Sequence, residues 1–240
     1  MENQNQEDFI STVSHELRTP LTSIRGFSQT MLNSWEKLDD ENKKKFLKII
    51  EEQSNRLINL VENMLAVNKL QDSNKNFHLK EVKVKPIVQA ITTILKNEYK
   101  NCSFEVSIND TISILADRDK FEQIMTNLIE NASKYCDPNS VIKIYSDFCE
   151  NNEFVSIRVT NNGIDIDKND YEKIFEKFSR IDNPLTRRVQ GSGLGLFITK
   201  NLVEKMNGKI SVKSENHQTT FEIILPASDI EQQARSACNQ

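Results

Sequence analysis

The sequence predicts an α+β chain in two parts, an N-terminal two-helix hairpin followed by a C-terminal α/β sandwich. Three observations predict it. Apolar residues recur at three- and four-residue steps through the first 70 or so positions, short alternating strand patterns fill much of the second half, and the polar stretch "QDSNKNFHLKEV" interrupts both. With 240 residues, 37% of them hydrophobic, the chain can build a core of its own.

In the first helix, expected over about 4–34, Ile10, Val13, Leu17, Leu21, Ile24, Phe27, Met31 and Trp35 form an amphipathic stripe. His15 falls off that stripe. At roughly 100° per residue it shares a face with Ser11, Arg18, Thr19 and Thr22, so it is expected to meet solvent. Pro20 has no amide hydrogen and faces the carbonyl of Glu16, which predicts a kink and a loosened segment beside His15. A polar turn, "WEKLDDENKKKF", follows, with Asp39 or Asp40 as the cap of the next helix. That helix carries Phe46, Ile50, Gln53, Leu57, Leu60, Met64 and Val67 at heptad-like spacing. One hairpin cannot bury two such stripes, which predicts a homodimer closed as a four-helix bundle with Gln53 in one core layer.

Beyond a linker over 72–80, Pro86 opens a helix carrying Ile87, Ala90, Ile91, Ile94 and Leu95, and "SFEVSI" and "SILAD" read as strands. A helix is expected from about Asp119 to Cys136. "VIKIYSDF" and "FVSIRVTN" alternate as an antiparallel pair, and a helix from about Leu194 to Met206 leads to the strands "KISVKS" and "TTFEIILP". Mixed strands with helices on one face predict the α/β sandwich over 81–227, and the polar stretch 228–240 reads as a disordered tail. The hairpin itself occupies 1–71.

Composition narrows the function. A net charge of −4 with no basic excess argues for no nucleic acid as partner. The absence of an apolar run of roughly 18 residues argues for no membrane segment in this chain. Cys102, Cys136, Cys149 and Cys238 lack metal or redox spacing and read as reduced thiols of a cytoplasmic chain.

Three segments carry chemistry. The helix "DKFEQIMTNLIENASKY" turns Phe121, Ile124, Leu128 and Ala132 inward and sets Asn127, Asn131, Lys134 and Tyr135 on another face, where amide oxygens suit magnesium and an ammonium suits phosphate. "VQGSGLGLFITK" places Gly191, Gly193 and Gly195 just before a helix, so that backbone amides can approach phosphate oxygens; it lacks the lysine and spacing of a P-loop. Between "TNNGIDI" and that loop, Ile174, Phe175 and Phe178 read as apolar anchors for a cationic lid containing Arg180, Arg187 and Arg188.

Together these segments resemble the sensor histidine kinases of two-component systems. "FISTVSHELRTPL" is similar to their H box, "NLIENASKY" to the N box, "TNNGIDI" to a G1 box, "IFEKFSR" to an F box and "GSGLGL" to a G2 box, in the family's order, over about residues 5–226. The resemblance implies a dimerisation and phosphotransfer hairpin, a Bergerat-type ATP-binding domain and a response-regulator receiver domain as partner. It implies His15 as phosphoacceptor, Glu16 as the residue that takes the imidazole proton, and Thr19 as the residue that orients water to dephosphorylate the regulator. It also implies Asn131 as the Mg2+ ligand with Asn127 beside it, Lys134 and Arg180 at the phosphates, Tyr135 lining the nucleotide site, and Gly191, Gly193, Leu194 and Gly195 admitting the phosphate chain of ATP. Where related ATPases carry a water-activating glutamate, this chain has Asn127, which implies transfer to histidine rather than simple hydrolysis.

The G1 segment departs from the family's Asp-Asn/Thr-Gly-x-Gly, reading Asn161, Asn162, Gly163, Ile164 and Asp165. Asn161 keeps an acceptor for the adenine amino group without the charge, and Asp165 puts a carboxylate where glycine is usual. Two readings follow: an ATP-dependent protein histidine kinase, or a scaffold for binding or phosphatase action with weakened nucleotide affinity. In either, the chain is cytoplasmic as it stands, or the cytosolic part of a larger membrane-attached sensor.

Overall fold

The computed structural model describes residues 2–71, 77–179 and 192–228, and the side chains of 11, 13–67 and the later described segments. The chain divides into two compact units, Met1–Lys69 and Leu70–Gln240.

The first unit is a helical hairpin. Helix α1 spans Glu2–Ser34, a single 3-10 turn covers Trp35–Lys37, and α2 spans Asp40–Gln71. Asp39 caps α2, its carboxylate accepting from the Asn42 amide at 2.7 Å. At Pro20, where a kink and a loosened segment are expected, α1 continues as one helix. Pro20 is buried, and the Thr19 and Thr22 hydroxyls donate to the carbonyls of His15 (3.3 Å) and Arg18 (2.8 Å) on either side of the lost bond. Phe27 and Phe46 stack across the hairpin at 5.2 Å, and Met31, Leu60 and Val67 are buried. The stripes only partly face each other. Leu21, expected inside, is 53% exposed, and Leu32, Leu47, Ile58, Val61 and Leu65 are exposed as well.

The second unit opens with a strand that the sequence reading left unassigned, β1 (Lys80–Lys83), paired antiparallel with β3 (Ser113–Ala116). The upstream residues are already held, because the His78 amide donates to Asp117 at 3.2 Å. Helix α3 (Val84–Glu98) starts two residues before Pro86, which tolerates proline in its first turn. It buries Val84, Ile87, Val88, Ile91, Thr92 and Leu95, while Ala90 and Ile94, both expected inside, are exposed because the buried stripe is rotated by one residue.

Five strands form the main sheet in the order β2-β4-β5-β7-β6, with β2 (Cys102–Ser107), β4 (Ser140–Cys149), β5 (Phe154–Asn162), β6 (Lys209–Glu215) and β7 (Gln218–Pro226). Only β2 and β4 run parallel. Helices α4 (Arg118–Tyr135) and α5 (Gly195–Lys205) pack on the sheet with α3. Phe121, Ile124, Leu128 and Ala132 are all buried as expected, the larger ones contributing roughly 1.5–3 kcal/mol each. On the inner face of β5 and β7 the rows Val155/Leu225, Ile157/Ile223 and Val159/Phe221 pair off in register. The next row is Asn161/Thr219. Ser228, expected in a disordered tail, is buried and donates its amide to Ser113; residues 229–240 lie outside the described residues.

Spacing alone separated the cysteines, yet folding sets Cys102 and Cys136 side by side, both as free thiols. Burial first, then the neighbouring Cys136, pushes the Cys102 thiol up to about 11.

On the outer face, Glu222 accepts from Ser156 at 2.6 Å and from Arg158 at 2.7 Å, and Arg158 also reaches Asp147 at 3.3 Å. Burial pushes the Glu222 carboxyl up, but the Ser156 and Arg158 hydrogen bonds outweigh it and leave it below the ordinary glutamate range. A carboxylate held low in the folded state contributes stability above its unfolded pKa and loses it as pH falls. Urea unfolding midpoints should therefore drop between about pH 5 and about pH 3 more steeply in the natural chain than in Glu222→Gln.

Candidate functional site

His15 lies exposed on α1, as its offset from the stripe predicts. Glu16, its neighbour, turns inward instead, where its carboxylate accepts from Arg56 of α2 at 3.2 Å; the two side chains are 20% and 23% exposed. Arg56 escaped the sequence reading because a contact between residues 40 apart leaves no periodic signal. Thr19, one turn beyond His15, donates to the His15 carbonyl.

In the second unit a polar wall forms where the inner face of the sheet meets the C-terminal end of α4. Gly163 follows β5 and pairs with Cys136, and a Cβ there would collide with the Tyr135 carbonyl oxygen. No other residue type fits without displacing backbone. The Asp137 amide donates to the Asn162 carbonyl at 2.8 Å and the Gly163 amide to the His217 carbonyl at 3.1 Å. His217 Nε2 also lies 2.8 Å from Asp137. The end of α4, the end of β5 and the β6–β7 turn thus form one rim.

Asn161 sits behind that rim at 3% exposure, and its side-chain amide makes no hydrogen bond among the described residues. Among the described residues the buried side-chain atoms that lack a partner are the Ser140 and Ser146 hydroxyls, so the Asn161 amide, though its residue is buried, keeps its polar atoms open to the space beside the rim. Thr219, its register partner, shares a hydrogen with the Ser214 hydroxyl at 2.7 Å and approaches the Ile164 carbonyl at 3.4 Å. The sequence reading passed over Thr219 and Ser214. The only available hint was polar residues at inward positions of an otherwise apolar alternation.

Asp165 does not point along that wall. Its carboxylate accepts from the Ser214 hydroxyl and from the His217 amide, each at 3.2 Å, so it fastens the segment after β5 to the β6–β7 turn.

On α4, Asn127 donates to the Gly195 carbonyl at 3.4 Å and to the buried Thr199 hydroxyl at 3.3 Å, tying α4 to α5. Asn131, one turn on, makes no side-chain hydrogen bond among the described residues. Lys134 is paired with Glu130 of its own helix at 2.8 Å, and Tyr135 is half-buried at the rim. Gly193 has φ +67, and a Cβ on it would press into Phe178 at 2.7 Å. Leu194 is fully buried as the first residue before α5, and no side chain caps that helix. Ile174 and Phe175 are buried, Phe175 edge-on to Phe221 at 6.4 Å. Arg180 and Gly191, with the expected lid and its Arg187 and Arg188, lie outside the described residues.

The residues present fit a purine nucleotide with its metal. Among the described residues the Asn161 and Asn131 amides without protein partners and an uncapped helix N-terminus preceded by glycine offer hydrogen bonds for a base and a phosphate chain, beside a rim too close for a Cβ. Among the described residues no cluster of three or more His, Cys, Asp or Glu side chains could hold a metal by itself.

Two family models match the chain: the His Kinase A (phospho-acceptor) domain over residues 5–73, and the Histidine kinase-, DNA gyrase B-, and HSP90-like ATPase over residues 116–229. The chain belongs to the sensor histidine kinases of two-component systems. Sensor protein SrrB of Staphylococcus aureus (strain NCTC 8325 / PS 47) is 36% identical over 230 residues, covering 93% of this chain and 38% of that relative. The chain thus spans well under half the length of the curated relatives it matches. Acinetobacter baumannii histidine kinase AdeS has a TM-score of 0.69 at 22% identity, covering 88% of this chain and 97% of that one. Histidine kinase ThkA, in complex with response regulator protein TrrA, has a TM-score of 0.69 at 25% identity over 92% of this chain and 61% of that one. No helix among the described residues is long and apolar enough to cross a membrane.

Because Asp165 serves the β6–β7 turn, Asp165→Gly should lower unfolding stability by about 1 kcal/mol through two lost hydrogen bonds at an exposed site. It should leave nucleotide affinity unimproved. Thermal unfolding and titration calorimetry on the same variant check both; tighter nucleotide binding would show that the carboxylate crowds the base.

Proposed function

We propose that this chain is an ATP-dependent protein histidine kinase that phosphorylates itself on His15 and passes the phosphoryl group to an aspartate of a response-regulator receiver domain. The observation that carries the reading is the division of labour beside His15: the imidazole is exposed, while the adjacent carboxylate of Glu16 is held by Arg56. ATP is the substrate that supplies the phosphoryl group. The imidazole attacks the terminal phosphorus through one ring nitrogen, the bond to the ADP oxygen breaks and ADP leaves, and the Glu16 carboxylate takes the proton from the other ring nitrogen. Arg56 fixes which way Glu16 faces. In the second unit Asn161 would meet the base, Asn131 would hold Mg2+, and the Gly193–Gly195 segment with the start of α5 would meet phosphate oxygens. Lys134 would have to leave Glu130 to do the same. Asn127 cannot act as a base, which favours transfer to histidine over attack by water.

Support for the receiver partner comes from ThkA, whose structure is a complex with a response regulator. Thr19 would orient water in a dephosphorylation reaction, its hydroxyl lying one turn from His15. Location in the cytoplasm agrees with the lack of a membrane-crossing helix among the described residues.

The labelling experiment is direct. With radiolabelled ATP, His15→Gln should lose acid-labile label while keeping nucleotide affinity, and Arg56→Ala should slow labelling about tenfold with affinity unchanged. Acid-labile label persisting on His15→Gln would remove His15 from this role; absent label on the natural chain with intact ATP binding would favour the scaffold reading.

A second copy of the chain would cover the apolar side chains that one hairpin leaves exposed. Leu47, Ile58, Val61 and Leu65 on α2 and Leu21 and Leu32 on α1 are exposed in one hairpin, and burying each side chain would stabilise a bundle by roughly 1.5–3 kcal/mol when fully covered. Ile58→Glu should shift the chain to monomer in sedimentation equilibrium; an unchanged dimer would place the interface elsewhere.

A further inference from the structure

The base wall of the nucleotide pocket carries no free carboxylate among its described residues. Where a carboxylate meets a purine it can only accept, which selects a 6-amino group and repels a 6-oxo group. Asn161 replaces that carboxylate with an amide, which carries one acceptor and two donors on the same end. It is 3% exposed and unpartnered among the described residues, so no protein hydrogen bond there fixes which end faces the pocket.

The group beside it already has its proton committed. Thr219 is 4% exposed and pairs with Asn161 in the sheet register. With the Ser214 proton given to Asp165, the Thr219 hydroxyl donates to Ser214 and keeps a lone pair with which to accept. Adenine presents a donor at its 6-position and an acceptor at N1; a 6-oxopurine presents the reverse. Turning the Asn161 amide over would meet either 6-substituent without moving backbone, and Thr219 would accept from the N1 proton of a 6-oxopurine. The nearby acids do not restore the selection. Asp165 is engaged by Ser214 and the His217 amide, and Asp137 by the His217 ring.

We infer that this pocket accepts 6-oxopurine nucleoside triphosphates as well as ATP, with Asn161 as the residue that sets the base preference. The inference rests on the proposed role of Asn161 at the nucleotide base.

The test is calorimetric competition on the full chain with ATP and inosine triphosphate, whose base differs from adenine at the 6-position and in the N1 proton. The natural chain should bind the two within about tenfold of each other, as expected when each base finds a matching hydrogen bond. Asn161→Asp should tighten ATP several-fold and weaken inosine triphosphate, widening the ratio beyond about a hundredfold. Asn161→Ala should weaken both and leave the ratio near one, which keeps the test readable if the aspartate variant folds poorly. Rejection of inosine triphosphate by the natural chain as sharply as by Asn161→Asp overturns the inference while leaving ATP binding, and so the proposed kinase, intact. Failure of the natural chain to bind ATP removes the nucleotide pocket itself, and both readings fall with it.

Discussion

The approach of Gly163 to the Tyr135 carbonyl is the constraint on which the rest of the second unit depends. A strand following the sheet and a helix lying across it can meet end to end only where one of them has no side chain in the way. At that point β5 stops being a core strand and becomes one side of a rim, fastened by the Cys136 pairing, by Asp137 to Asn162, and by Gly163 to His217. Asn161, Tyr135, Asp137 and His217 come from three parts of the sequence. Backbone hydrogen bonds at one glycine bring them together.

The sheet explains why the wall behind the rim is polar. Each inward row of β5 and β7 is apolar until the last, where Asn161 and Thr219 take the places that a valine and a phenylalanine hold one row earlier. Desolvating an amide and a hydroxyl at such a depth is unfavourable without partners. Thr219 finds one in Ser214, whereas Asn161 finds none among the described residues. The Asn161 amide is therefore left available to a ligand beside the rim.

The hairpin solves a different problem. In the proposed reaction a phosphoacceptor has to be reached from solvent, yet a helper carboxylate has to face one way. Residues next to each other on a helix point about 100° apart, so His15 can be wet while Glu16 is tucked against Arg56 on α2. Pro20 leaves the helix intact because burial and the threonine hydroxyls flanking the missing bond hold the local geometry. The apolar residues left exposed on both helices are a separate demand, which the proposed second hairpin of the same kind would satisfy.

Sequence by itself determined the elements and the segments that carry chemistry, because helical and strand periodicities are set by local geometry. The exposed position of His15, the buried stripe of α4, the antiparallel pair β4–β5 and the glycine loop before α5 all follow from spacing within one element. Short-range reading failed where the answer depended on what packs against an element. It mistook Ile94 and Leu21 for core residues, since several faces of an amphipathic helix are nearly equivalent until a neighbour chooses one. It missed β1, a four-residue strand defined by its partner β3. Only the tertiary structure turned Asp165 toward the β6–β7 turn, set Arg56 on Glu16 and placed Thr219 beside Asn161. Each is a contact between residues 40 or more positions apart, and hydrogen-bond geometry over such separations is decided by chain topology, which no local pattern encodes.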